Sequence, residues 1–226
     1  MELTAGGTQA ALILSSLMIT LLSGFGGTPG GLHSPPYQPE NGAFSIWGLI
    51  YTCIVVTAMT AWRNPQPWWF VASLCASLVS CGAWLIAVRR NVALSAVFIV
   101  CASVAATFSV WLLASRDSTW REGADWSLAL GPGLLAGWLG LAAGLGVNLA
   151  AHARAGDDLP AAVLLPGAAL ACVAAVRARV PITGAVLLWA VFWARRDAAP
   201  TVTALTAALG LATILAAGVR LARFEP

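Results

Sequence analysis

An all-α integral membrane protein is the fold class this sequence predicts, on three observations. Of its 226 residues, 59% are hydrophobic and only 9% are charged, against roughly 25% charged residues in soluble domains. The apolar residues gather into eight runs, and a bilayer core takes about 20 residues per helix. The runs lack the alternation of barrel strands, and only helices or closed barrels satisfy their backbone in lipid. A cytosolic enzyme, a nucleic-acid binder and a secreted disulfide scaffold are thereby excluded. All twelve basic residues are Arg, and the net charge of +3 is scattered along the chain, so no polyanionic partner is indicated.

The first predicted span is Thr8–Gly24. A signal peptide wants a basic start, whereas Glu2 precedes this run and the first basic residue is Arg63, so an uncleaved helix is expected. Span two, Ala43–Trp62, ends at Arg63-Asn64-Pro65. Span three, Trp68–Val88, ends at Arg89-Arg90-Asn91. Span four, Val92–Ala114, is followed by the polar stretch from Arg116 to Asp125. Span five is Leu128–Ala151, closed by His152 to Asp158. Span six, Leu159–Val176, stops at Arg177 to Pro181. Span seven, Val180–Ala194, stops at Arg195 to Pro200, and span eight is Thr201–Leu221. Span seven covers only about 22 Å at 1.5 Å per residue, so it either thins the membrane or is re-entrant. With eight spans the termini share a side. That side holds seven Arg against five opposite, which points to cytoplasmic termini.

Residues 25–42 differ from the other loops. Four prolines and five glycines forbid regular helix there. A stiff, uncharged loop beside a helix bundle serves either as a lid or as a spacer.

Chemistry inside a membrane needs ionisable groups at depth, and every Asp and Glu lies in a loop or at a terminus. No H-E-x-x-H, no paired Asp within a span and no G-x-S-x-G occurs, so no catalytic and no metal-binding residue is assigned. The stretch from Gly131 to Gly137 has the wrong spacing for a phosphate loop. The five cysteines sit in apolar runs without a C-x-x-C pair and read as packing residues. His33 and His152 fall on one membrane side. A neutral imidazole can ligate a haem or magnesium tetrapyrrole; a solvated loop histidine is the plainer alternative.

Eleven tryptophans are the strongest compositional signal. Trp62, Trp68, Trp69, Trp111, Trp120, Trp126 and Trp193 lie near span ends, where indole suits the headgroup region. Trp138 and Trp189 lie well inside spans, and Trp47 and Trp84 within a terminal turn. A buried indole either packs or lines a pocket for a flat apolar ligand. Asn148, near the end of span five, reads as an interhelical clasp. Gly133 and Gly137, then Gly140 and Gly144, form two G-x-x-x-G pairs. Ala204, Ala208, Ala212 and Ala216 form a small-residue face along span eight, and such faces let helices approach closely.

Two segments carry a resemblance. Pro35-Pro36-Tyr37-Gln38-Pro39, followed by Phe44, Trp47 and Tyr51, resembles the loop and second helix of tryptophan-rich sensory proteins, the TspO/translocator family. Pro132, Gly137-Trp138, Ala143 and Asn148 resemble the fifth helix of its longer members. The chain departs from the family at Cys81, three residues before Trp84, where Asn is usual. Phe44 also stands one residue closer to Trp47 than in short members. The resemblance implies a five-helix membrane core over residues 1–152 and a three-helix extension over 153–226. It implies a pocket beneath the first loop that binds porphyrins or sterol- and lipid-like molecules, lined by Trp47, Tyr51, Trp138 and Asn148, with Phe44 and His33 completing the ligand-binding set. Members of the family are linked to tetrapyrrole handling, transport, stress signalling and porphyrin degradation.

Three functions follow as expectations. The first is a receptor or carrier whose bound molecule is a tetrapyrrole or lipid. The second is an assembly subunit of a larger membrane complex, for instance a pigment–protein complex. The third, and least supported, is an enzyme that degrades porphyrin through tryptophan photochemistry. The expected partners are the lipid bilayer, an apolar small molecule, and a second copy or a larger membrane complex, with no nucleic acid. The expected location is the bacterial cell membrane, crossed many times.

Overall fold

The computed structural model describes residues 4–24, 34–35, 37–114, 123–194 and 200–222, with the backbone alone at 123–125. Eight α-helices run through these residues, and no strand occurs among them. They are α1 (Ala5–Ser23), α2 (Ile46–Arg63), α3 (Trp68–Ala87), α4 (Val92–Leu113), α5 (Gly123–Ala155), α6 (Leu165–Ala178), α7 (Ile182–Phe192) and α8 (Pro200–Ala222). Short 3-10 turns, Asn41–Ser45 and Ala161–Leu164, lead into α2 and α6.

Local chemistry sets the ends. The Thr4 side chain accepts from the Gly7 N–H, and Asn91 accepts from Leu94, each satisfying an orphan donor of the first turn. Arg179 ends α6 in the left-handed region, at φ 60°, and Pro181 follows at once. Pro132 lies inside α5, where it lacks a backbone donor. On either side of it, Thr57 of α2 donates to the Ser127 carbonyl and Thr183 of α7 to the Gly133 carbonyl. Hydroxyls from neighbouring helices thus bond the α5 backbone around the break.

Seven of the helices are long and apolar enough to cross a membrane; α7, with 11 residues, is the shorter apolar one. The protein is a multi-pass membrane protein by this measure. Neighbouring helices run in alternating directions. Gly6 of α1 meets Trp62 near the end of α2, Gly24 meets Arg89 past the end of α3, and Gly146 near the end of α5 meets Ile99 near the start of α4. The α7 segment, though short, begins beside Gly133 and ends at Gly42. It therefore covers the same depth as α6, and Thr4 and Ala222 lie at the same end of the bundle.

The G-x-x-x-G pairs of α5 are used within the chain. Gly133 and Gly137 face α7, and Gly140 and Gly144 face the 163–168 segment. A Cβ on Gly140 would fall 2.8 Å from the Gly167 carbonyl oxygen, and one on Gly167 would fall 2.3 Å from that of Gly140. The expected alanine face of α8 is turned outward: Ala204, Ala208, Ala212 and Ala216 are all exposed. The buried face is Thr206, Gly210, Thr213 and Ala217. Glycine decides this, because Gly210 packs against the Gly184 carbonyl more closely than alanine could. Thr206 and Thr213 bond carbonyls of their own helix and bury no free hydroxyl.

One continuous apolar core, with Ile13, Ile50, Leu74, Ile99, Leu135, Leu139 and Leu187 fully buried, links α1 through α7. It runs without a break across residues 152 and 153. Polar groups inside it are paired across helices. Gln9 exchanges two hydrogen bonds with the Gln66 backbone, at 2.6 and 2.7 Å. Thr20 donates to Leu78 and Ser77 to Ala102.

Candidate functional site

The turn at Asn41–Ser45 and the first turns of α2 bring an aromatic group against the middle of α5. Spacing of one helical turn stacks Trp47 over Tyr51, with centroids 5.4 Å apart and ring planes at 30°. Trp138 meets Phe44 edge-on at 5.5 Å and Trp47 edge-on at 6.4 Å, the geometry that aromatic quadrupoles favour. Trp84 arrives from the end of α3. Phe44, Trp47, Trp84 and Trp138, with Leu141 and Leu145 of α5, wall an apolar cavity of about 50 Å³. Pro35, Gln38 and Pro39 close it.

Two polar atoms in this lining are unsatisfied. The Nε1 groups of Trp47 and Trp84 are buried and have no hydrogen-bond partner among the described residues. The side chains are 2% and 9% exposed. Buried donors are nearly always paired, so such an orphan calls for a physical reason. Among the described residues no charged side chain lines the cavity. Among the described residues no group of three or more His, Cys, Asp or Glu could hold a metal ion.

The covering segment, residues 34–43, is tied down on two sides. The Tyr37 hydroxyl donates to the Leu159 carbonyl at 3.1 Å, in the connection between α5 and α6. Burial, and then the negative charge of Asp158, push the Tyr37 pKa up to about 12. On the other side the Glu40 N–H donates to the Trp193 carbonyl at 2.9 Å, and Trp189 Nε1 donates to the Ala43 carbonyl at 3.0 Å. Gly42 lies against the Trp193 ring, 2.3 Å from where a Cβ would stand. Beyond the strap is a more polar depression of about 520 Å³, lined by Ser34, Gln38, Pro39, Glu40, Asn41 and Gly42. Gln38 and Pro39 line both spaces and form the wall between them.

The sequence-predicted residues divide into three groups. Phe44, Trp47 and Trp138 meet at the cavity. Tyr51 and Asn148 do not line it. Tyr51 packs behind Trp47. Asn148, fully buried, donates to the Asp158 carboxylate at 3.0 Å and accepts from the Leu159 N–H at 2.6 Å. Asp158 also pairs with His152 at 3.4 Å. Asn148 is not the interhelical clasp expected: both its partners lie in the connection that follows its own helix, and it holds that connection, to which Tyr37 is anchored. His33 lies outside the described residues, as do residues 25–32 of the expected lid. Where the loop is described, at 34–35 and 37–42, it runs over Trp47 and Trp138. The walls are α2, α3 and α5. Trp84 was not assigned to the pocket from the sequence, though an indole in a terminal turn of a span was the available signal.

Comparison with family models, with curated proteins and with solved structures finds no match to this chain.

Proposed function

We propose that the protein is a membrane receptor or carrier that binds a flat, apolar, tetrapyrrole- or lipid-like ligand in the aromatic cavity beneath residues 34–43. The observation that carries this reading is a cavity walled by four aromatic side chains in which two indole donors have no acceptor. A ligand bearing carbonyl, carboxylate or ring-nitrogen acceptors would satisfy them, and stacking surface is already in place. The resemblance to tryptophan-rich sensory proteins at Trp47, Tyr51 and Trp138 points the same way, and the membrane we assign to the protein is a bacterial cell membrane. The closed cavity has room for only a few waters, so a macrocycle enters when Gln38 and Pro39 move aside. Binding and orientation are the tasks these residues suit; among the described residues no side chain in the lining is an acid, a base or a nucleophile.

The test is porphyrin titration of the whole protein in mild detergent, followed by quenching of tryptophan fluorescence. Edge-on aromatic contacts add about 0.5–1.5 kcal/mol beyond area burial. Trp138→Ala should therefore weaken binding by roughly tenfold, at about 1.4 kcal/mol per decade. Trp120→Ala, in the polar stretch between the fourth and fifth apolar runs of the sequence, should leave affinity unchanged. Equal affinities for Trp138→Ala and the parent protein would remove the cavity as the ligand site. Loss of the protein from membranes unless a partner complex is present would favour the assembly-subunit reading instead.

A further inference from the structure

A second apolar recess lies on the opposite side of α5, between α4 and α6. Its volume is about 500 Å³. Val100, Val104, Phe108 and Trp111 form one bank, and Val163 and Leu170 the other. Ala143, Gly144 and Gly167 add little bulk, which leaves the recess deep. Val104, Phe108 and Leu170 are exposed, so the groove opens on the outer face of the bundle, where hydrocarbon surrounds a spanning helix.

One end of the groove is basic. The Arg177 guanidinium lies 4.2 Å from the centre of the Trp111 ring, a cation–π contact. Arg220 of α8 reaches the Val176 carbonyl at 3.5 Å. Arg179 is close enough to feel it: burial first, and the like charge of Arg220 second, lower the Arg179 pKa. Three cations thus gather where α6 ends. The described acidic side chains, Glu40, Asp157 and Asp158, belong to the other end of the bundle, with Trp193, Asn148 and Leu159.

The length of the groove identifies the occupant. From Trp111 to Val100 the helix descends about 16 Å at 1.5 Å per residue. Half of a hydrocarbon core about 30 Å thick is the depth of one leaflet. Tryptophan and arginine at the upper end mark the headgroup level.

We propose that this groove binds one anionic phospholipid, with an acyl chain laid between α4 and α6 and the phosphate held by Arg177 and Arg220. Guanidinium groups suit phosphate because they donate paired hydrogen bonds in a fixed plane. The site is independent of the aromatic cavity, from which α5 separates it.

Native mass spectrometry of the whole protein in mild detergent, with phosphatidylglycerol or phosphatidylcholine supplied, reads the site directly. Phosphatidylglycerol should be retained about tenfold better than phosphatidylcholine, the scale of one charge-assisted contact. Arg177→Gln with Arg220→Gln should abolish that preference, and Arg177→Lys with Arg220→Lys should keep most of it. Val104→Trp, which fills the groove from an exposed position, should reduce retention of both lipids. An unchanged porphyrin titration certifies that each variant is folded. Equal retention of the two lipids by the parent protein, or full retention by Val104→Trp, would overturn the proposal. So would a dimer that carries no lipid and is lost in Val104→Trp.

Discussion

Asn148 illustrates how one buried amide can organise a site it does not touch. Its amide group donates to Asp158 and its carbonyl accepts from Leu159, and Leu159 in turn receives the Tyr37 hydroxyl. Asn148→Ala would remove the acceptor of the part-buried Leu159 N–H and the donor to Asp158, at about 0.5–1.5 kcal/mol. The melting temperature in detergent should fall, and porphyrin affinity at a temperature where the variant is folded should change little. A selective loss of affinity without loss of stability would instead make Asn148 a ligand contact. Tyr37 carries a pH dependence of definite sign. Its pKa is raised from 10 in the unfolded chain to about 12, so the folded state favours the neutral phenol. The stabilisation is complete below pH 10 and is lost as pH rises from 10 towards 12. Quencher access to Trp47 and Trp138 should increase over that interval, and Tyr37→Phe should flatten the response.

At the scale of elements, α7 is the part that distinguishes this bundle. It is too short to be a conventional span, yet its C-terminal turn grips the strap through Trp189 and Trp193. Trp189 and Phe192 also stack, and Trp193 meets both edge-on, with centroids 5.4 to 6.2 Å apart, which holds the grip in one geometry. Trp189→Phe keeps most of the ring and removes the donor to Ala43. The expected outcome is faster porphyrin association in stopped-flow quenching, with the dissociation rate raised as well. Unaltered rates would show that residues 34–43 do not gate the cavity. The glycine contacts explain why α5 meets α6, and α7 meets α8, this closely: backbone meets backbone at Gly140 and Gly167, and at Gly184 and Gly210.

For the whole molecule, the alternating helix directions place Thr4 and Ala222 at one end. Protease-cleavable tags fused at the two termini should become accessible from the same face of sealed vesicles. Cleavage of the two from opposite faces would mean that α7 does not traverse the bundle in the membrane. The basic residues described at that end are Arg63, Arg177, Arg179 and Arg220, against Arg89, Arg90 and Arg154 at the other.

Hydropathy alone determined the class and nearly every helix, because desolvating a backbone in lipid leaves helices as the available form for such runs. It also brought Trp138 forward, since an indole far from a headgroup needs a reason to be there; Phe44 and Trp47 were named through the resemblance instead. Three matters were decided only by tertiary structure. The packing face of α8 follows glycine rather than alanine, because closeness depends on the partner's backbone and not on a helix read alone. Trp84 joins the cavity and Tyr51 does not, because the rotation of α3 and α2 about their axes is set by packing in an almost uniformly apolar sequence. And α7 proves to be the anchor of the strap, because the bonds from Trp189 to Ala43 and from Glu40 to Trp193 join residues some 150 positions apart, a separation across which no local pattern carries information.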